Sequence, residues 1–342
     1  MSRFAVAVLI AGAALVAIGG PAAADPAGPT DYRSEIVSVE PAVEGLELRF
    51  IGGDSFLELT NLTGAEVVVV GYRGEPYMRF GADGTVEENR RSPSIYLNED
   101  RFGDRELPPA ADPDAAPEWR RVASDGRYAW HDHRTHWMNP ARPPGAEPGD
   151  TILEAVVPLT VDGRAVGVTV ISTLLSGPSI VPPVLGAVTA LALGALAVLV
   201  GGGRRGTVTT VAVTASAALV AGVWAVRSVP PETSPSLLLW ALPATALAAA
   251  LVALTIGGRM TPSVSAVFVA LAGTELALWS WTRREALSRA IIPSDAPPGL
   301  DRAVIAAAGV VGVIAIVSGL LRTGRSVTAR PPSTRPPWIH RP

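Results

Sequence analysis

The chain has 342 residues, a formal net charge of −3 and no cysteine, which excludes disulfides, zinc–thiolate sites and thiol nucleophiles. Every basic residue is arginine, and the near-neutral total hides a split. Residues 25–179 carry 26 acids against 14 arginines (−12), residues 180–342 carry 13 arginines against 5 acids (+8), and so acidic a first half argues against nucleic-acid binding.

In chain order, the start reads as a secretory signal peptide over 1–24. Arg3 supplies the positive region, Phe4 to Gly19 the apolar run, and Ala22-Ala23-Ala24 the small residues of a cleavage site. Residues 25–176 then read as an extracytoplasmic domain. "SEIVSVEP" (34–41), "LELRFIGG" (46–53) and "SFLELTNLTG" (55–64) alternate apolar and polar residues as half-buried strands do. "EVVVVGY" (66–72) is apolar enough for a strand covered on both faces. "YMRFGADGTVEEN" (77–89) and "ILEAVVPLTVDGRAVGVTVISTLL" (152–175) read as hairpins around Asp-Gly turns. These signals predict an all-β sandwich (Ig/cupredoxin-like) of about seven to nine strands. The Pro- and Ala-rich stretches 106–118 and 139–149 read as irregular loops.

From residue 180 the chain turns apolar. Segments near 180–200, 207–226, 237–256, 263–281 and 303–321 are each long enough to cross a bilayer, predicting five transmembrane helices over 180–321. An odd number of crossings places the C-terminus in the cytoplasm of a bacterial cell, the protein being multi-pass in the plasma membrane. The Pro- and Arg-rich tail 322–342 reads as disordered beside the inner leaflet. Loop 282–302 carries four arginines, and folding against the acidic β domain would accommodate them.

"YAWHDHRTHWM" (128–138) holds three of the four histidines. On a strand, residues two apart share a face at roughly 6.5–7 Å, so His131 and His133 could chelate one ion. His136 joins them only if the chain bends near Arg134-Thr135. Met138 is the optional fourth ligand, with Met78 a distant second thioether. Histidines with a thioether suit copper, and three imidazoles also allow zinc. Asp132 and Arg134 read as supporting residues, Asp132 orienting an imidazole. The same residues equally fit a structural hydrogen-bond network inside a sandwich.

Other features carry less. Glu75 reads as a turn residue, and Glu99-Asp100 lacks the further oxygens a calcium loop needs. The sequon at Asn61 and "GGGRRG" (201–206) carry no function in this context, since no strand precedes the glycines. No hydrolase elbow or metalloprotease motif appears, so the chain is not read as an enzyme. Glu275 lies within the fourth apolar segment, where a carboxylate is costly. Pairing with an arginine of loop 282–302 is the expected reason for it, and a proton or cation route the alternative.

The strings "GYRGEPY", "NRRSPSIYLNEDR" and "WHDHRTHWM" resemble a group of actinobacterial membrane proteins with a signal peptide, a β-rich outer domain and a helical tail. That resemblance implies an architecture, not an activity. A looser similarity is to copper-resistance proteins that join a secreted sandwich to membrane helices. Here the mature chain would start at Asp25, not histidine, and the predicted helices contain no histidine. The leading expectation is an anchored metal-binding protein handling copper. The alternatives are an envelope module that binds a protein partner and a transporter using Glu275.

Overall fold

The structure is a computed structural model and describes residues 27–328 apart from 100, 104–105, 201–202, 234 and 256. The expected signal peptide and the tail beyond Thr328 lie outside the described residues. Within them the first half is β-rich and the second helical.

The β part contains β1 (Tyr32–Glu40), β2 (Leu46–Ile51), β3 (Phe56–Asn61), β4 (Val67–Val70), β5 (Pro76–Phe80) and β6 (Val86–Asn89). A short helix α1 (Pro93–Leu97) follows, then β7 (Trp119–Ala123), β8 (Arg127–Trp130), β9 (Thr151–Val161) and β10 (Arg164–Leu174). They form two antiparallel sheets: β1-β10-β9-β4-β5-β6-β7 and β2-β3-β8. Alternation decides the faces. Val157, Leu159 and Val161 of β9 and Val166, Val168 and Val170 of β10 are buried, with partly or fully exposed residues between them. Leu57, Leu59 and Trp130 of the smaller sheet pack into that same core. The β9–β10 hairpin turns on Asp162 and Gly163, both at positive φ (49° and 73°), as a tight turn between right-twisted strands requires.

The helical part comprises α2 (Val181–Val200), α3 (Arg204–Arg227), α4 (Leu238–Thr255), α5 (Pro262–Thr282), a 3-10 turn (Arg284–Leu287) and α6 (Pro298–Thr328). Among the described residues four helices, not the five expected, are long and apolar enough to cross a membrane. The first expected segment, α2, is not among those four. The odd-number argument for a cytoplasmic C-terminus goes with it. Helix α6 also continues to Thr328, so Arg322–Thr328 is helical where a disordered tail was expected. Alanine and valine dominate this core. At the α5–α6 crossing an added Cβ on Gly273 would meet the Gly312 carbonyl at 2.7 Å, and the reverse holds; the two backbones touch.

The halves are joined by polar contacts. Thr30 makes an antiparallel bridge with Ile291. Asp31 accepts from Arg289 Nη1 and Ala290 N, each at 2.9 Å, with Arg142 at 3.6 Å. Arg127 bonds Glu58 at 2.6 Å and reaches Glu232, between α3 and α4, at 3.2 Å. Loop 282–302 thus does meet the acidic domain through Arg289. Its other arginines serve the loop itself: Arg283 grips Asp301 with two bonds of 2.8 Å, and Arg302 caps the carbonyls of Ala286, Arg289 and Ala290.

Candidate functional site

Strand β8 ends at Trp130, whose ring lies edge-on to Tyr77 and near Phe80 in the core. The histidine segment beyond it is a turn, not the strand assumed from spacing. Asp132 makes the turn: its carboxylate accepts Arg134 N at 3.1 Å, and its carbonyl accepts Thr135 N at 2.9 Å and Thr135 Oγ1 at 2.7 Å. Ser34 of β1 then donates to the Thr135 carbonyl at 2.5 Å and ties the turn to the larger sheet.

Asp132 is fully buried and does not orient an imidazole. Its oxygens take Arg134 Nε at 2.8 Å, Arg134 Nη2 at 2.7 Å and Trp130 Nε1 at 3.1 Å. Burial pushes this carboxyl up, but the hydrogen bonds and charge of Arg134 outweigh it and hold it below its usual range. Arg134 also donates to the Val70 carbonyl at 2.9 Å and lies over the Tyr72 ring. The Tyr72 hydroxyl accepts from His133 N at 2.8 Å and donates to Asn98 Oδ1 at 2.5 Å. Burial, and after it the Asp132 charge, raise that phenol far above its ordinary range. The assembly is a polar network between the sheets.

The bend at Arg134–Thr135 is present, and it regroups the histidines. His131 is buried, stacks on Phe56 at 4.1 Å and donates Nδ1–H to the Ser55 carbonyl at 2.5 Å. His133 stacks on Tyr72 at 5.9 Å and meets His136 edge to face at 5.6 Å. Met138 and His133 come together over Gly103, where an added Cβ would lie 2.9 Å from His133 Cε1 and 3.3 Å from Met138 Cε. With φ at +72° as well, that position needs glycine. His136 and Met138 line one cavity of about 380 Å³ with Phe102, Trp137, Asn139, Pro140 and Leu153.

Among the described residues no three His, Asp or Glu side chains gather as a metal-holding set, so the three-histidine arrangement expected from the sequence is not formed. What the turn brings together is His133, His136 and Met138, while His131 is drawn toward Ser55. Met78 is buried in the β core. His136 is the unusual member. Its ring has no exposed surface, Nδ1 donates to the Trp137 carbonyl at 3.3 Å, and Nε2 has no hydrogen-bond partner among the described residues. Burial and then the nearby Arg101 guanidinium lower its pKa to about 3, which keeps the ring neutral.

Two carboxylates carry more structure than the sequence suggested. Glu75 is buried: Oε1 accepts from Ser92 and Ser94 at the start of α1, and Oε2 from Arg73 N. Asp54 is buried against Arg101 at 2.6 Å, with Oδ1 unpartnered among the described residues. The Ser-Pro-Ser signal at 92–94 was available for the first; nothing local marks the second. Glu275 lies in α5 beside Thr245 of α4 and not beside an arginine, since those of loop 282–302 are engaged as described. Comparison with protein-family models, curated proteins and solved structures finds no match for this chain.

Proposed function

We propose that the chain is a non-enzymatic, membrane-anchored protein of the cell envelope whose β domain faces the extracytoplasmic side and binds a soft metal ion, copper as Cu(I). We read the two sheets closing on one core as a cupredoxin-like sandwich. His136 carries the reading. A buried imidazole with Nδ1–H on a backbone carbonyl and a bare Nε2 has the tautomer and the neutral charge of a metal ligand. His133 and Met138 supply a second imidazole and a thioether, and sulfur favours Cu(I). Zinc fits less well, because the sulfur of Met138 beside His133 is a soft donor and zinc sites draw on imidazole, carboxylate and thiolate.

The test is metal retention by the full chain in detergent, loaded with Cu(I) under reducing conditions and dialysed. Near-stoichiometric copper is expected in wild type, lost in His136→Gln and weakened in Met138→Leu, with ligand-linked stabilisation that follows the metal. His131→Gln should keep its copper while losing stability. No retention by wild type, or unchanged retention in His136→Gln, would overturn the proposal. A second reading, an anchored module that binds a protein partner, is favoured by the Asp132–Arg134–Tyr72 network, which explains the segment without a ligand. It predicts no copper retention in any of these proteins.

A further inference from the structure

Helix α4 carries Pro243 in its interior. Proline has no N–H, so the carbonyl of Leu239, four residues earlier, loses its helical partner. Trp279 of α5 replaces it: its indole Nε1 donates to the Leu239 carbonyl at 2.7 Å, with the ring fully buried. One turn earlier on that helix stands Glu275, 8% exposed and beside Thr245 of α4, two residues past the proline. Thus α5 meets the broken stretch of α4 with two polar side chains.

Thr245 has one hydroxyl proton. Its Oγ1 lies 2.9 Å from the Ala241 carbonyl and 3.0 Å from the Leu242 carbonyl, and the proton goes there. The Thr245 hydroxyl is thus spent on its own helix. Oε2 of Glu275 is buried without a partner among the described residues, and a carboxylate buried so without a counter-charge is costly. Among the described residues no charge stands ready to balance an ionised form. Helix α4 contains no titratable side chain. Arg204, Arg205 and Arg227 sit at the ends of α3, and Arg322 is far along α6. Asp301 and Arg302 lie at the start of α6, where Asp301 is held by Arg283 and Arg302 by backbone carbonyls.

We infer that Glu275 is a proton-binding site within the helical domain, placed where α5 meets the Pro243 break in α4. The site is independent of the metal reading, and its test uses the metal-free full chain in detergent. Dicyclohexylcarbodiimide, which adds to protonated carboxyls in apolar surroundings, should label wild type at Glu275, located by peptide mass mapping, with the adduct absent from Glu275→Gln. The glutamine amide has the same shape and stays neutral at every pH. Wild type should therefore lose melting temperature as the pH is raised and the proton leaves, while Glu275→Gln should not. Absence of the adduct in wild type, or parallel pH profiles of the two proteins, overturns the inference. If Glu275→Gln fails to fold, labelling of wild type at Glu275 decides alone.

Discussion

At Asp132 a carboxylate with no exposed surface receives the guanidinium of Arg134, an amide and an indole N–H. Replacing it by asparagine keeps the shape and removes the charge, leaving the half-buried Arg134 against Tyr72 and Val70 without its counter-ion. Breaking a buried pair from one side costs about 3–5 kcal/mol. Asp132→Asn should lose stability on that scale in urea unfolding followed by tryptophan fluorescence. The pH dependence has a definite sign. Arg134 holds the folded carboxyl below its unfolded value despite burial, so its contribution is present above the ordinary carboxylate range and fades as pH falls through the lowered value. Asp132→Asn should lack that acid-side loss. The polar partnership of Asp132 and Arg134 was legible from their types and spacing. The grouping of the histidines was not, because two-residue parity holds on a strand and Asp132 ends the strand by bonding its own backbone.

Among the elements, the long hairpins and apolar helices were legible because period two and runs of about twenty apolar residues leave few alternatives. Strands β7 and β8 escaped. "WRRVA" places two arginines side by side on an edge strand, and "RYAW" is four residues ending at a turn. The partner of the carbonyl that Pro243 frees was not legible, since Trp279 lies 36 positions further on. That contact is testable. Trp279→Phe retains an aromatic ring and removes the donor, leaving the Leu239 carbonyl buried and unmet at a cost of about 1–3 kcal/mol. The expected outcome is a lower melting temperature in detergent with helix content by circular dichroism unchanged. An unaltered melting temperature would show that the carbonyl finds another donor.

For the whole molecule, the charge split between the halves was legible by counting. Which charges meet was not, because pairs such as Asp31 with Arg289 span 258 positions. Asp31 joins the halves with one side chain on Arg289 Nη1, the Ala290 amide and Arg142, and Arg127 adds a second joint through Glu58 and Glu232. Asp31→Ala combined with Arg127→Ala should uncouple them. Calorimetry of the full chain should then resolve two transitions where wild type gives one, with little change in the higher. A single transition in the double variant would mean that the Thr30–Ile291 bridge suffices.

That bridge also sets an order of events during synthesis. Thr30 leaves the ribosome early, and its pairing partner Ile291 is made only after helix α5 and most of the chain have emerged. The sheets can assemble on their own, but the approach to β1 must wait for a segment that arrives near the end of translation. Until then Thr30 lacks this backbone partner, and a nascent chain arrested before residue 291 would leave it unmade.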